Sequence, residues 1–293
     1  MKSILISGGT GLVGKYLQKK LEEKNYRVKI LSRSPKNENE FKWNINDGYI
    51  DESAFENVSH IIHLAGAGIA DKRWTNERKK ELINSRVKSA NLLFDKIKEL
   101  ETPLKGFISA SGIGYYGAVT SDKIFTEDDN VANDFLGEVC KKWEDAAHQF
   151  KINNIPVTIL RTGIVLSKKE GALEKMRTPI VTPLGSGKQF IPWVHIEDLC
   201  QMYINAIELD LTGTYNAVAP EHHTSKSFSK TLAKSLKRPF LPIGVPSFIL
   251  KLFFGEMAII LLEGSKISSK KIEKNKDYSF RFSKLQKALS NLK

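Results

Sequence analysis

The stretch that most constrains this 293-residue chain is its beginning, Lys2–Gly14, KSILISGGTGLVG. A short apolar run, Ile4-Leu5-Ile6, meets glycines at 8, 9, 11 and 14, and a helical pattern then opens at Leu12, Val13, Tyr16, Leu17 and Leu21. Strand, glycine turn and helix in that order mark the first βα unit of a parallel sheet. Glycine accepts backbone angles closed to other residues and lets a second backbone or a ligand come close. A helix beginning at such a turn aims free N–H groups and the positive end of its dipole at whatever occupies the turn. Gly8, Gly9, Thr10, Gly11, Leu12, Val13 and Gly14 are therefore expected to hold the pyrophosphate of a dinucleotide.

The rest of the chain continues the alternation. Strands are expected at Arg27–Ser32, His60–Leu64, Gly106–Ala110 and Val157–Arg161, with helices at Asn76–Leu100 and Asn133–Lys151. This is an α/β chain, and its parallel sheet has helices on both faces. The loops at Gly8–Gly14, Ala65–Gly68, Ser109–Gly117 and Arg161–Val165 all leave the carboxyl ends of strands, so they should converge on one cleft. From about Gly171 the rhythm changes. Helices are expected at His195–Leu209, Ser227–Leu236, Pro246–Leu262 and Ser283–Leu292, with Thr214–Ala219 extended. The division read from this is 1–165 for the nucleotide-binding domain and 166–293 for a substrate-covering lobe and helical module, partly interleaved with it.

Composition narrows the class. Apolar content of 41% and 27% charge fit a globular protein. Two cysteines, Cys140 and Cys200, cannot build a disulfide framework, which points to the cytoplasm. Phe248–Leu262 is the most apolar stretch, but Lys251 and Glu256 interrupt it and it is shorter than the roughly 20 residues a spanning helix needs. A buried or partner-facing helix is expected there, and no membrane span. The net charge is +12, and residues 264–293 carry nine Lys/Arg against Glu273 and Asp277. A solvated basic surface accounts for this, since no nucleic-acid motif accompanies it; binding of an anionic surface by this basic end is the alternative. No metal site is expected, and the oligomeric state stays open, a homodimer among the options.

The N-terminal GGTGLVG, His63-Leu64-Ala65-Gly66 and the serine-rich strand end Ser109–Gly117 resemble the NAD(P)-dependent epimerase/dehydratase family, the extended short-chain dehydrogenases/reductases. More narrowly, the chain resembles the atypical epimerase family proteins with a short C-terminal module. Ser109–Gly117, Asp134-Phe135-Leu136, Glu138-Val139-Cys140, Trp193-Val194-His195 with Asp198, and Phe254-Gly255-Glu256-Met257 carry that likeness. The resemblance implies a Rossmann-type doubly wound sheet with a smaller C-terminal substrate-covering lobe. It also implies cofactor contacts at Leu64, Ala65 and Gly66.

In such proteins an acid at the end of the second strand binds the ribose of NAD. Here Ser32 stands in its place and Arg33 follows. A guanidinium binds a 2′-phosphate that an acid would repel, so NADP(H) is expected over NAD(H). The family also uses Tyr-x-x-x-Lys as its proton carrier. On the corresponding helix, with Glu144 as the anchor, those positions hold Leu136 and Cys140. Tyr116, Cys140 and His195 are the candidate replacements, and Ser111 is a candidate donor to a substrate oxygen. Arg86, Tyr115, Arg161 and Trp193 are candidates for contact with the substrate, a small oxygenated molecule such as a nucleotide-sugar, carbonyl or alcohol. A cofactor-sensing or structural protein that has lost the chemistry is the alternative.

Overall fold

The computed structural model describes residues 3–275 and 278–293, so Lys2, Lys276 and Asp277 of the stretches above lie outside the described residues. Along the chain run β1 (Ser3–Ser7), α1 (Leu12–Glu23), β2 (Arg27–Ser32), β3 (Glu40–Asn44), β4 (Tyr49–Ile50) and β5 (Val58–His63). Then come α2 (Asn76–Glu99), β6 (Gly106–Gly112), β7 (Ile124–Phe125), α3 (Phe135–His148), β8 (Val157–Thr162) and β9 (Ile164–Leu166). The C-terminal half holds α4 (Ala172–Met176), β10 (Trp193–His195), α5 (Ile196–Glu208), β11 (Gly213–Ala217) and α6 (Ser225–Leu236). It closes with α7 (Ser247–Phe254), α8 (Ile259–Leu262), β12 (Lys266–Ile267), α9 (Lys270–Glu273) and α10 (Leu285–Asn291).

Eight strands form one sheet in the order β11-β8-β6-β5-β1-β2-β3-β4, parallel except for the last pair. Every residue of β1 and β5 is buried, as expected for strands covered on both faces. On one face Leu17 and Leu21 of α1 meet Leu199, Met202 and Tyr203 of α5. On the other, Leu93 and Ile97 of α2 meet Ala147 of α3 and the Phe107–Phe150 stack. Each such leucine contributes roughly 1.5–3 kcal/mol by leaving water. The strand order runs outward from β1 in one direction and from β5 in the other. The crevice above their carboxyl ends is therefore the switch point where ligands of such sheets bind.

β11, from beyond residue 165, joins the sheet in parallel beside β8. A separate core gathers Leu166, Trp193, Phe228, Phe282, Leu285 and Leu289. Asp198 fastens the C-terminal segment to α5 by accepting the backbone N–H groups of Arg281 (2.8 Å) and Phe282 (3.0 Å).

One expectation needs correction. Pro246–Leu262 is not one helix: Gly255, at φ +60°, ends α7, and a short 3-10 turn leads to α8. Most of the C-terminal basic residues are exposed, and Lys266, Arg281 and Lys284 pair with Asp122, Glu197 and Glu221.

Candidate functional site

The turn between β1 and α1 is packed against its neighbours on three sides. A Cβ on Gly8, which has φ +75°, would lie 2.8 Å from the Leu64 carbonyl carbon. One on Gly9 would lie 2.7 Å from Ile30, and one on Gly14 2.5 Å from Gly9. Gly11 differs, since its Cβ would meet only the Gly8 carbonyl oxygen, at 3.3 Å. Gly11 is also the N-cap of α1, and no side chain caps that helix among the described residues. The other helices of twelve residues or more are all capped, by Thr75, Asp134, His195 and Thr224. The first-turn N–H groups of α1 thus face the crevice without a side-chain cap among the described residues, and its first turn carries no acid. This cradle fits a pyrophosphate. Thr10 is exposed, and Leu12 and Val13 are half-buried beside it.

At the end of β2, Ser32 is buried and its hydroxyl accepts the Ser34 N–H at 3.3 Å. Arg33 is exposed and makes no hydrogen bond or ion pair among the described residues. On the far side of the crevice the Leu64 N–H donates to Ser7 O at 2.9 Å; Ala65 is buried and Gly66 exposed.

Beside the crevice lies a buried polar chain whose hub the sequence reading used only as an alignment anchor. Glu144 of α3 takes the Arg161 guanidinium in a two-pronged pair, Nε to Oε1 and Nη2 to Oε2, each 2.8 Å. The Ser111 hydroxyl donates to Glu144 Oε1 at 2.7 Å. Arg161 Nη1 donates to the Tyr116 hydroxyl at 3.0 Å, and that hydroxyl donates to Asn216 Oδ1 at 2.6 Å. The Tyr115 ring lies 3.3 Å from the same guanidinium carbon. Ser111, Tyr115, Tyr116 and Arg161 are therefore brought together, by Glu144 and Asn216. The signal that could have found Glu144 is its spacing: Leu136, Cys140 and Glu144 share one face of α3, turned toward β6.

The geometry gives several candidates work other than proton transfer. The Tyr116 hydroxyl is engaged on both sides, and burial pushes it up to about 12 despite the Arg161 charge. Burial and the Glu144 charge raise the Cys140 thiol to about 12, and its sulfur packs near Gly112 and Gly114. His195 caps α5, its Nδ1 accepting the Glu197 N–H at 3.1 Å, and stacks on Phe282 at 3.8 Å. Trp193 is fully buried in the C-terminal core and donates to Glu221 O, so it has no surface to offer a substrate.

Arg86 is 8% exposed and donates to Leu82 O at 2.8 Å. Its guanidinium lies 4.7 Å from the Trp143 ring centroid and against Gly66. It has no carboxylate partner among the described residues, and its Nε is buried without a hydrogen bond. Burial lowers it to about 10. Beneath it His63 accepts the Trp143 N–H at Nδ1 (3.3 Å), which leaves Nε2 to donate to Ser89 Oγ (2.7 Å).

Two of the buried histidines, His63 and His195, are held neutral. Burial, reinforced by the Arg86 charge, lowers His63 to about 3, and burial lowers His195 to about 4. The unfolded chain takes up these protons near pH 6.5 and the folded chain does not, so stability falls as pH drops below that value. From about pH 7 to about pH 5 each histidine should remove about 2 kcal/mol, read as a lower urea midpoint. His63→Asn should flatten that dependence; an unchanged slope would show that His63 is not held neutral.

A family model described as NAD dependent epimerase/dehydratase family matches residues 4–217, and a domain of unknown function, DUF1731, matches 245–292. The chain belongs to the NAD-dependent epimerase/dehydratase family. An epimerase family protein of Staphylococcus aureus is 33% identical over 302 residues, covering 100% of this chain and 99% of its own. The Mus musculus epimerase family protein SDR39U1 is 33% identical over 299 residues, 99% of each chain. The crystal structure of human epimerase family protein SDR39U1 (isoform 2) with NADPH superposes with a TM-score of 0.89 at 30% identity, covering 99% of this chain and 98% of that one. UDP-N-acetylglucosamine 4-epimerase from Bacillus cereus, at 16% identity and a TM-score of 0.80, shares the fold. Within the family, this member carries Leu136 and Cys140 where the resemblance implies tyrosine and lysine.

Proposed function

We propose that this chain binds NADP(H) across the β1–β5 crevice and acts on a small oxygenated substrate, as an epimerase-like or oxidoreductase-like enzyme. The observation that carries this reading is the uncapped N-terminus of α1 above Gly8 and Gly11. The related human protein with NADPH supports it. The cofactor, when bound, accepts or supplies a hydride at the nicotinamide. The chain's own residues do the rest. The α1 amides receive the pyrophosphate. Arg33 pairs with the 2′-phosphate, and Ser32 leaves no carboxylate to oppose it. Ser111, whose O–H is given to Glu144, is left with lone pairs to accept from a substrate hydroxyl, and Arg86, a buried cation with no carboxylate partner among the described residues, draws negative charge to the strand ends. Tyr115 is half-buried, and its hydroxyl makes no hydrogen bond among the described residues, so it replaces Tyr116 as the phenol free to carry a proton. Both cysteines are buried and unpaired, which fits the cytoplasm.

Arg33→Asp exchanges an attractive charge for a repulsive one. Losing a charged hydrogen bond costs about 1.5–3 kcal/mol, so NADPH binding should weaken by about tenfold or more while NADH binding holds. Fluorescence titration with both cofactors tests this; an unchanged NADPH affinity removes Arg33 as the selector.

A second reading, a cofactor-sensing protein without turnover, is favoured by the apolar Leu136 and the high-lying Cys140 thiol. Loss of NADPH absorbance against a panel of carbonyls, together with chromatography of nucleotide-sugar products, because epimerisation returns the hydride and leaves the absorbance unchanged, separates the two. Turnover that falls about a hundredfold in Tyr115→Phe supports the first reading. Tight binding with no turnover on any of them supports the second.

A further inference from the structure

Helix α7 shows its apolar side to water. Phe248, Leu252 and Phe253 are 69%, 71% and 68% exposed, and Leu250 is the residue of this helix that is buried. Phe248 and Leu252 stand one turn apart on the same side, with Phe253 beside them. The segment leading in adds exposed Leu241 and Ile243, and Phe254 closes the run. One exposed leucine is ordinary, whereas six large apolar residues within 241–254 form a patch that calls for an occupant.

Along the chain from 222 up to the end of α7 the charge has one sign. Residues 222–255 contain six Lys/Arg and no Asp or Glu. Lys226, Lys230 and Lys234 recur every four residues along α6, and Lys237 and Arg238 follow its end. With Lys251 of α7, all six are exposed and none forms an ion pair among the described residues. The 183–187 loop links the two features. Gly187 O accepts the Lys226 N–H at 2.9 Å, while Gly185 and Ser186 line a cavity of about 580 Å³ together with Ser247 and Lys251. Arg73 adds a cation at the Leu252 carbonyl, and Glu256, the first acid beyond α7, is held by Lys79 at 2.7 Å.

We propose that α7 and the 241–246 segment seat in the headgroup layer of an anionic lipid bilayer, with the α6 lysines on lipid phosphates. Phenylalanine and leucine side chains on a short helix reach the acyl boundary without crossing it, and neighbouring lysines add attraction to negative lipid. No described helix is long and apolar enough to cross a membrane, and α7 spans only about 12 Å. A second copy of this chain fits less well. A two-fold contact through α7 would set the same cations against each other, while the acids nearest the patch, Glu256 and Glu263, are already engaged by Lys79 and Thr120.

The test is co-sedimentation of the full chain with vesicles of equal parts phosphatidylglycerol and phosphatidylcholine, against phosphatidylcholine alone. Binding is expected to the anionic vesicles only, weakening as salt rises. Phe248→Ser with Leu252→Ser and Phe253→Ser should reduce binding by roughly tenfold or more, with thermal midpoint and NADPH titration unchanged. Lys230→Glu with Lys234→Glu and Lys237→Glu should do the same, and decides the matter if the serine variant folds poorly. No binding to anionic vesicles at low salt overturns the proposal, as does binding that survives both variants. A stable dimer that the serine variant dissociates would assign the patch to a second copy instead.

Discussion

Gly11→Val is expected to abolish dinucleotide binding while leaving the fold in place. At this position a Cβ meets only the Gly8 oxygen, at 3.3 Å, so the protein has room for it. The branched side chain then fills the space above the turn that the α1 amides face. Losing two charge-assisted hydrogen bonds at about 1.5–3 kcal/mol each amounts to about 3 kcal/mol or more, roughly a hundredfold in affinity. Gly14→Val is the contrast. Its Cβ would lie 2.5 Å from Gly9, backbone against backbone, so the turn itself must open and both binding and thermal midpoint should fall. Calorimetric titration with NADPH, paired with a melting curve for each variant, reads both. NADPH affinity unchanged in Gly11→Val would leave the loop as a turn and nothing more.

The largest loss of stability is expected from Glu144→Ala. Glu144 and Arg161 are both buried, and removing the carboxylate leaves a guanidinium in the interior with its charge unmatched. Breaking such a pair costs about 3–5 kcal/mol, which for a chain of this size lowers the melting temperature by roughly 10 °C. The Ser111 hydroxyl and the Tyr116–Asn216 bond lose their anchor in the same step. Replacing both partners with apolar residues, Glu144→Leu with Arg161→Met, should recover most of the loss, because no orphaned charge remains. A single variant that melts within about 2 °C of the parent would show that the pair does not carry this part of the structure.

Legibility in the sequence followed periodicity. β2 and α2 were plain because buried strands read as apolar runs and α2 repeats its apolar face at Leu82, Ala90, Leu93 and Ile97. β3 was missed because Glu40–Asn44 is a half-exposed strand toward the sheet edge with a polar composition. The region 246–262 read as one helix because apolar content continues through Gly255, whose positive φ sets the break. At the site, the glycine turn was legible because its function is local backbone. The Glu144 hub was not, because its spacing from Leu136 and Cys140 gives it a helix face without telling that a distant strand buries that face. His195 and Trp193 are site candidates by residue type and place in the chain, but both are buried, His195 under Phe282 and Trp193 in the core of the lobe, and residue type does not report burial.

The Asp198 clamp has a consequence for how the molecule is made. Ile272 and Tyr278 lie in the same apolar cluster as Ile4, Ile6 and Leu17, and Phe282 covers His195 at the head of α5. Domains fold as units during synthesis, N-terminal parts first. Here β1 leaves the ribosome long before residues near 280 and waits for them before one side of its core is sealed. A nascent chain stalled before them carries α5 with its Asp198 carboxylate unsatisfied and its apolar side open, a form suited to chaperone capture and open to proteolysis.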